Sequence, residues 1–472
     1  MALKKLWLPV LVFLISFAAT YPGVSILIDE THYLRQAAAF ANGQIMVEEF
    51  HPVTQQVTYS LPSEYPPGTS FVAGIFMLFG GWGLAFWMPA LSLAAAIFFT
   101  ALLLRVCKLN PHYALILLIF PPALVMARVV SSDVVSAGVV ALGWFLFWKG
   151  SHQKEKTRVY LWFAAGFVAG ASILFRESNA LLFAPLFAGA MLRMNVSWTF
   201  LLYGGLLGVS LRLMMAQLIF GDPFFARDPH YGFSLSAIAD NSFVYLTALT
   251  VFVPGGLFFG LLYKGERRTE VVTTIVVFTL FYLAYDFSGE SSGFLKSLVL
   301  GPRFYIPLLP VLAFATAHTV PRVLNWLIQT DFVRKLLLQV SVVAISFGVA
   351  FGNVIFNHWV SVQREIQEAI IQHVPQNAAV VYNKKSTMKF MSELQGYPST
   401  IHYEFLSDGH IEEIQNLNIF IVFVQRRDSE YWMQSAENEN SFIERVQVET
   451  ILDKTFLDNY RLRIYKTGEE NS

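Results

Sequence analysis

From Leu6 to Ile28 the chain runs for 23 residues without a charged side chain. At 1.5 Å of rise per helical residue, a run of that length crosses the roughly 30 Å hydrocarbon core of a bilayer. Ten more apolar runs follow: Gly83 to Val106, Pro111 to Val129, Val134 to Trp148, Val159 to Phe175, Ala180 to Leu192, Trp198 to Phe220, Ser242 to Tyr263, Val271 to Tyr285, Tyr305 to Val320 and Leu336 to Phe356. Such a chain is expected to fold as an all-α polytopic membrane bundle of about eleven helices, since a helix satisfies its own backbone hydrogen bonds in lipid. Its 55% hydrophobic and 14% charged residues lie outside the range of a soluble domain. Several runs are too short for a straight crossing, which implies tilt, local thinning or burial within the bundle.

The rest of the composition narrows the function classes. Equal numbers of basic and acidic residues leave no surplus charge to neutralise nucleic-acid phosphates. A single cysteine, Cys107, excludes an internal disulfide framework and any CxxC metal site. Lys4 and Lys5 ahead of an apolar core, with Ala18 and Ala19 near its end, resemble a cleavable signal. The apolar run continues to Ile28, longer than a signal core, which favours a retained first span with its basic end inside.

Orientation turns on the short apolar segment Pro66 to Phe79, which opens on Pro66-Pro67-Gly68. If it lies along the surface, eleven spans result, and Arg105, Lys108, Lys149, Lys154, Lys156, Arg158, Lys264, Arg267, Arg268, Arg322, Arg334 and Lys335 all share the side of Lys4 and Lys5. That is a positive-inside pattern. If it spans, the basic Lys149 to Arg158 connector moves outside, so the surface helix is preferred. The first loop, 29–82, then lies outside, with a short helix over Thr31 to Asn42, an irregular stretch through His51 and Pro52, and the surface helix. After Phe356 the pattern changes. An amphipathic helix over His358 to His373 and strands at Ala378 to Tyr382, Ile419 to Val424 and Leu462 to Tyr465 predict a small α/β domain over 357–472, outside the membrane and without a catalytic constellation. The transmembrane domain accordingly covers 1–356.

On the outer face, acid and base occur together at predicted span ends: Asp29, Glu30, Asp133, Arg176, Glu177 and Arg303. Charges against hydrocarbon are costly and usually face a bundle interior or a wet cavity, so helices placing charges at one depth enclose a polar pocket. Arg212, inside Trp198 to Phe220, is expected to pair with an acid or snorkel. His32 and His51 are single histidines without a metal-binding spacing.

These residues carry a resemblance. Asp29-Glu30 with Tyr33 and Gly43 following, Tyr65-Pro66-Pro67-Gly68 ahead of an apolar helix, a solitary Asp133, Phe175-Arg176-Glu177, and Arg303-Phe304-Tyr305 with Pro307 and Pro310 form an ordered set. The set resembles the GT-C superfamily of integral-membrane glycosyltransferases, in the branch of protein mannosyltransferases and the aminoarabinose transferase of lipid A, over Met1 to about Phe356. The resemblance implies transfer of a sugar from a polyprenyl-phosphate donor to a lipid, glycan or protein hydroxyl at the extracytoplasmic face, with inversion. It assigns Asp29 as base or acceptor-orienting group with Glu30 beside it, Asp133 as second acid, and Arg303 as holder of the donor phosphate. Arg176, Lys296, Tyr65, His51 and Tyr305 are further candidate substrate contacts.

Two departures stand out. Tyr65 replaces a lysine that some relatives carry before the paired prolines, and no DxD-type pair occurs at Asp133, so a divalent metal stays open. The chemistry suits the roles independently. A hydroxyl attacking an anomeric carbon sheds a proton that a carboxylate can take, and a departing phosphate needs positive charge, which arginine offers as a two-pronged fork. A bacterial inner membrane is expected, with the N-terminus cytoplasmic and the C-terminal domain periplasmic. The rival classes are a transporter or flippase of lipid-linked sugar and a catalytically silent scaffold of the same fold. A transporter is expected to show mid-membrane charges and repeated halves, of which only Arg212 is present.

Overall fold

Pro22 and Gly23 end the first apolar run earlier than its composition suggests. In the computed structural model, helix α1 covers Ala2–Ala19, and Gly23 takes a left-handed φ of 65°, which a residue with a Cβ adopts at a cost. Asp29 and Glu30 therefore do not abut the first span. They lie in the first turn of a separate helix, α2 (Ile28–Ala41). The structure describes residues 2–467 other than 52–53, 55, 194–196, 226–231, 254–255, 288–300, 328–352, 355, 359, 384, 392–394, 398, 403–405, 407–412, 415–416, 427–431, 447 and 458–459. Lys296 and nearly all of the expected span Leu336 to Phe356 fall outside the described residues.

The chain divides into two compact units. The first comprises Met1–Tyr21, Tyr65–Thr69 and Phe86–Val354. It holds α4 (Trp87–Val106), α7 (Ser132–Ser151), α8 (Glu155–Ala171), α9 (Ala180–Leu192), α10 (Trp198–Phe220), α11 (Leu235–Val251), α12 (Gly256–Leu261), α13 (Arg268–Leu283) and a helix over Leu309–Leu327. Among the described residues of the whole chain, six helices are long and apolar enough to cross a membrane, and shorter apolar helices accompany them. The protein is an integral membrane bundle with a small C-terminal sheet region.

Two expected spans are broken. Pro111 to Val129 becomes a 3-10 turn (Pro111–Leu115) and two short helices, α5 (Ile116–Ile119) and α6 (Pro121–Met126), because Pro121 and Pro122 force the preceding Phe120 out of the helical region. Such backbone is tolerable in lipid only when covered by protein, and 120–136 is buried throughout. Ser242 to Tyr263 is divided between α11 and α12.

Close helix packing rests on glycine. Gly166 and Gly170 on α8 face Gly204 and Gly208 on α10, and a Cβ at any of the four would collide with backbone atoms of the opposite helix, among them the Leu201 and Phe163 carbonyls. This is the small-xxx-small pairing by which membrane helices approach without a hydrophobic driving force. Elsewhere buried charge joins helices: Glu270 of α13 pairs with Arg193 after α9 at 2.5 Å and with Arg267 at 3.6 Å.

The second unit comprises Pro22–Glu64, Ser70–Ala85 and Ile355–Ser472, so the first loop belongs with the C-terminal residues. The loop's supposedly irregular stretch is a hairpin, β1 (Val47–His51) with β2 (Gln56–Ser60). The expected surface helix is α3 (Gly68–Ala85), broken at Gly80 and Gly81. It passes the length and hydropathy requirements for a span, yet its regular part, 68–79, rises only about 18 Å, less than a bilayer core. Gly74 lets it approach the Ala37 carbonyl of α2, where an added Cβ would meet the oxygen at 2.9 Å.

The C-terminal residues form a five-stranded sheet ordered β4-β3-β5-β7-β6, with β3 (Ala379–Tyr382), β4 (Ser399–His402), β5 (Ile419–Arg426), β6 (Val448–Thr455) and β7 (Tyr460–Thr467). β4, β3 and β5 are parallel, whereas β7 runs antiparallel to both β5 and β6. Alternation along β5 assigns Phe420 and Val422 to one core with the helix over 360–373, and Ile421 and Phe423 to another with Phe442. The fully buried Glu439 is matched by Arg463 at 2.9 Å and by Asn383 and Gln425, as a buried carboxylate requires.

Candidate functional site

In the membrane unit, four of the five motifs lie against one another. Asp133 occupies the first turn of α7, where the helix dipole favours an anion, and is 3% exposed. Its Oδ1 accepts a charge-assisted hydrogen bond from Arg176 Nη1 at 2.5 Å, and its Oδ2 accepts a bond from the Ser131 hydroxyl at 3.3 Å. Arg176 stands in extended conformation between two 3-10 turns, Ser172–Leu174 and Glu177–Asn179. Asn179 ties that corner to α7 by donating to Ser136 Oγ and to the Ser172 carbonyl, both at 3.0 Å. The Tyr65-Pro66-Pro67-Gly68 turn meets the same corner. Only glycine fits at 68, since an added Cβ would lie 2.7 Å from the Leu174 carbonyl oxygen.

Aromatic rings carry the cluster onward to the late arginine. The Arg176 guanidinium lies 4.9 Å from the Phe304 ring centre and 5.4 Å from that of Tyr282, and Arg303 lies 5.2 Å from Phe304 and 5.9 Å from Phe287. Phe304 thus serves both cations. It stacks on Tyr282 at 5.1 Å, and Tyr282 exchanges a 2.6 Å hydrogen bond with Ser178. Cation–π contact with a planar guanidinium leaves full charge on the arginine. Tyr305 is fully buried and its hydroxyl donates to the Thr279 carbonyl at 3.0 Å, so it packs this wall. Arg212 behaves as expected: it pairs with Glu177 at 3.6 Å and donates to the Phe225 carbonyl at 2.6 Å. Tyr65 is half-buried.

The remaining motif belongs to the other unit, and there the acid doublet divides. Glu30 is fully buried, and its Oε2 accepts the N–H of Ile26, the residue before the N-cap of α2, at 2.8 Å. Asp29 is half-exposed. Nearby, Arg35 of α2 donates to Glu49 of β1 at 2.7 Å, and His32 Nδ1 lies 3.1 Å from the Pro62 carbonyl. His51 ends β1, its Nδ1 accepting the Thr54 N–H at 3.1 Å. Among the described residues no three His, Cys, Asp or Glu side chains gather as a metal site would need.

Sequence reasoning missed Arg128 as a structural residue. It is 1% exposed and donates to Thr20 Oγ1, the Leu124 carbonyl and Asn353 Oδ1 at 3.2, 2.9 and 2.9 Å. An arginine within a nearly uncharged segment was the available signal.

No family model and no curated protein matches the chain. Among solved structures, a crystal structure of ArnT from Cupriavidus metallidurans bound to undecaprenyl phosphate superposes with a TM-score of 0.67 over 100% of this chain and 99% of that one, at 13% identity. The fold is that of ArnT. The apo ArnT structure agrees, with a TM-score of 0.64 over 98% of each chain at 12% identity. ArnT is a GT-C glycosyltransferase, and the ArnT fold is the one that the ordered sequence motifs imply.

Proposed function

We propose that the protein is an inverting glycosyltransferase that moves a sugar from a polyprenyl-phosphate donor to a hydroxyl of a lipid, glycan or protein acceptor at the extracytoplasmic face of a bacterial inner membrane. The observation that carries this reading is the end-to-end ArnT fold, seen in a structure holding undecaprenyl phosphate. In the reaction, the acceptor oxygen bonds to the anomeric carbon as its proton passes to Asp29. The bond from that carbon to the phosphate oxygen breaks, leaving its electron pair on the polyprenyl phosphate. Asp29 suits the base role because it is half-exposed, whereas Glu30 is spent on backbone. Arg303 meets the phosphate charge, and Asp133 holds Arg176 beside it rather than acting as a second base. Tyr65, His51 and Lys296 would then serve as substrate contacts.

The test is transfer of labelled sugar from polyprenyl phosphate to an acceptor extract by the purified chain in nanodiscs. Removing a general base costs about 10²–10⁴-fold, so Asp29→Asn is expected to lose activity on that scale while remaining folded. Arg303→Ala is expected to raise the KM for donor. Full activity of Asp29→Asn would refute the assignment.

A further inference from the structure

Within the second unit, both main-chain polar groups of Ile26, three residues before Asp29, are held by side chains. Glu30 takes its N–H, and Lys389 donates from Nζ to its carbonyl at 3.0 Å. Lys389 lies between β3 and β4 of the C-terminal sheet region, 363 residues along the chain. Ile26, Glu30 and Lys389 are 6%, 0% and 9% exposed. The neighbouring Met388 sulfur lies 4.0 Å from Arg35 Nη1, one turn further along α2. Burying a lysine costs several kcal/mol and an apolar residue of similar volume often serves stability better, so packing alone does not account for a lysine here.

The geometry points to Lys389 as a positioning residue of the sugar transfer, reaching from the C-terminal domain to fix the backbone that aims Asp29. This rests on the reading of Asp29 as the base and extends it: the soluble domain is a working part of the enzyme. A displacement near 1 Å at a reacting group can cost about 100-fold in rate. Glu30 fixes the peptide group entering Ile26 and Lys389 the one leaving it, so the two side chains together hold consecutive peptide planes ahead of Asp29.

The experiment uses the full chain in nanodiscs with polyprenyl-phosphate sugar, comparing wild type, Lys389→Met and Lys389→Arg by steady-state kinetics and by hydrogen exchange of the peptide covering 22–31. Lys389→Met is expected to lower kcat about 100-fold, with the donor KM unchanged and exchange of the Ile26 amide accelerated. Lys389→Arg, which keeps a charged donor, is expected to recover most of the loss. Wild-type kcat in Lys389→Met, or an unchanged Ile26 exchange rate, overturns the positioning role. So does equal loss in both variants with faster exchange throughout β3 to β7, which marks general unfolding. A wild-type chain that transfers no sugar instead sinks the transferase reading on which the role depends.

Discussion

The Asp133–Arg176 pair shows how far a single interaction decides the membrane unit. Both side chains are mostly buried, at 5% and 15% exposure, and each is the other's 2.5 Å partner. Removing one partner of a buried pair strands the other, at about 3–5 kcal/mol. Asp133→Ala is expected to lower the unfolding temperature strongly, and the double change with Arg176→Gln to recover part of it. A double-mutant cycle read by thermal size-exclusion profiles checks this, and additive losses would count against the coupling. Lys389 gives a pH-dependent counterpart outside the membrane. Burial pulls its pKa down from 10.5 to about 8, partly resisted by Glu30. Between these values the unfolded chain holds a proton that the folded one lacks, so stability of this unit rises with pH from about 8 towards 10.5. Tyr382, pushed up from 10.0 to about 12 by burial, acts oppositely, lowering stability above pH 10. Pulse proteolysis of the full chain at pH 8 and pH 10 should show increasing resistance of 355–467, and Lys389→Met should flatten that slope.

Among the elements, the α8–α10 contact makes the sharpest demand on sequence. Gly166, Gly170, Gly204 and Gly208 are needed for close approach, because their missing Cβ atoms make room for backbone. Overpacking costs about 1–3 kcal/mol, and backbone cannot yield as a flexible side chain can. Gly166→Val and Gly204→Val are therefore expected to reduce folded yield in fluorescence-detected chromatography. Ala165→Val, beside the seam, is expected to do less, and equal yields would show that the helices can separate freely. Both glycine pairs stand in the sequence at a spacing of four, a signal the sequence reading left unused, whereas α9 and α10 were legible, their bounds matching their apolar runs. The fracture of Pro111 to Val129 was visible only as two prolines. Hydropathy counts apolar residues and is blind to the backbone that carries them.

For the molecule as a whole, the grouping of Pro22–Glu64 with Ile355–Ser472 ties two distant parts of the chain into one compartment. Hydrogen bonds such as Lys389 to Ile26 and Arg364 to the Pro22 carbonyl, at 2.8 Å, cannot cross a bilayer. Single cysteines at Thr54 and Asp453, in a chain with Cys107 replaced, are expected to react with a membrane-impermeant maleimide from the same side. Labelling from opposite sides would contradict the structure.

Composition and periodicity by themselves determined that the chain is a helical membrane protein ending in an α/β domain, because hydrophobic length and the alternation of strands are local properties. The ordered motifs also named the residues around Arg176. What only tertiary structure decided is partnership: Asp133 with Arg176, Glu30 with the Ile26 backbone, and the first loop with the C-terminal sheet. Such pairings depend on distances between residues tens to hundreds of positions apart, and these are set by the packing of the whole chain rather than by any local stretch.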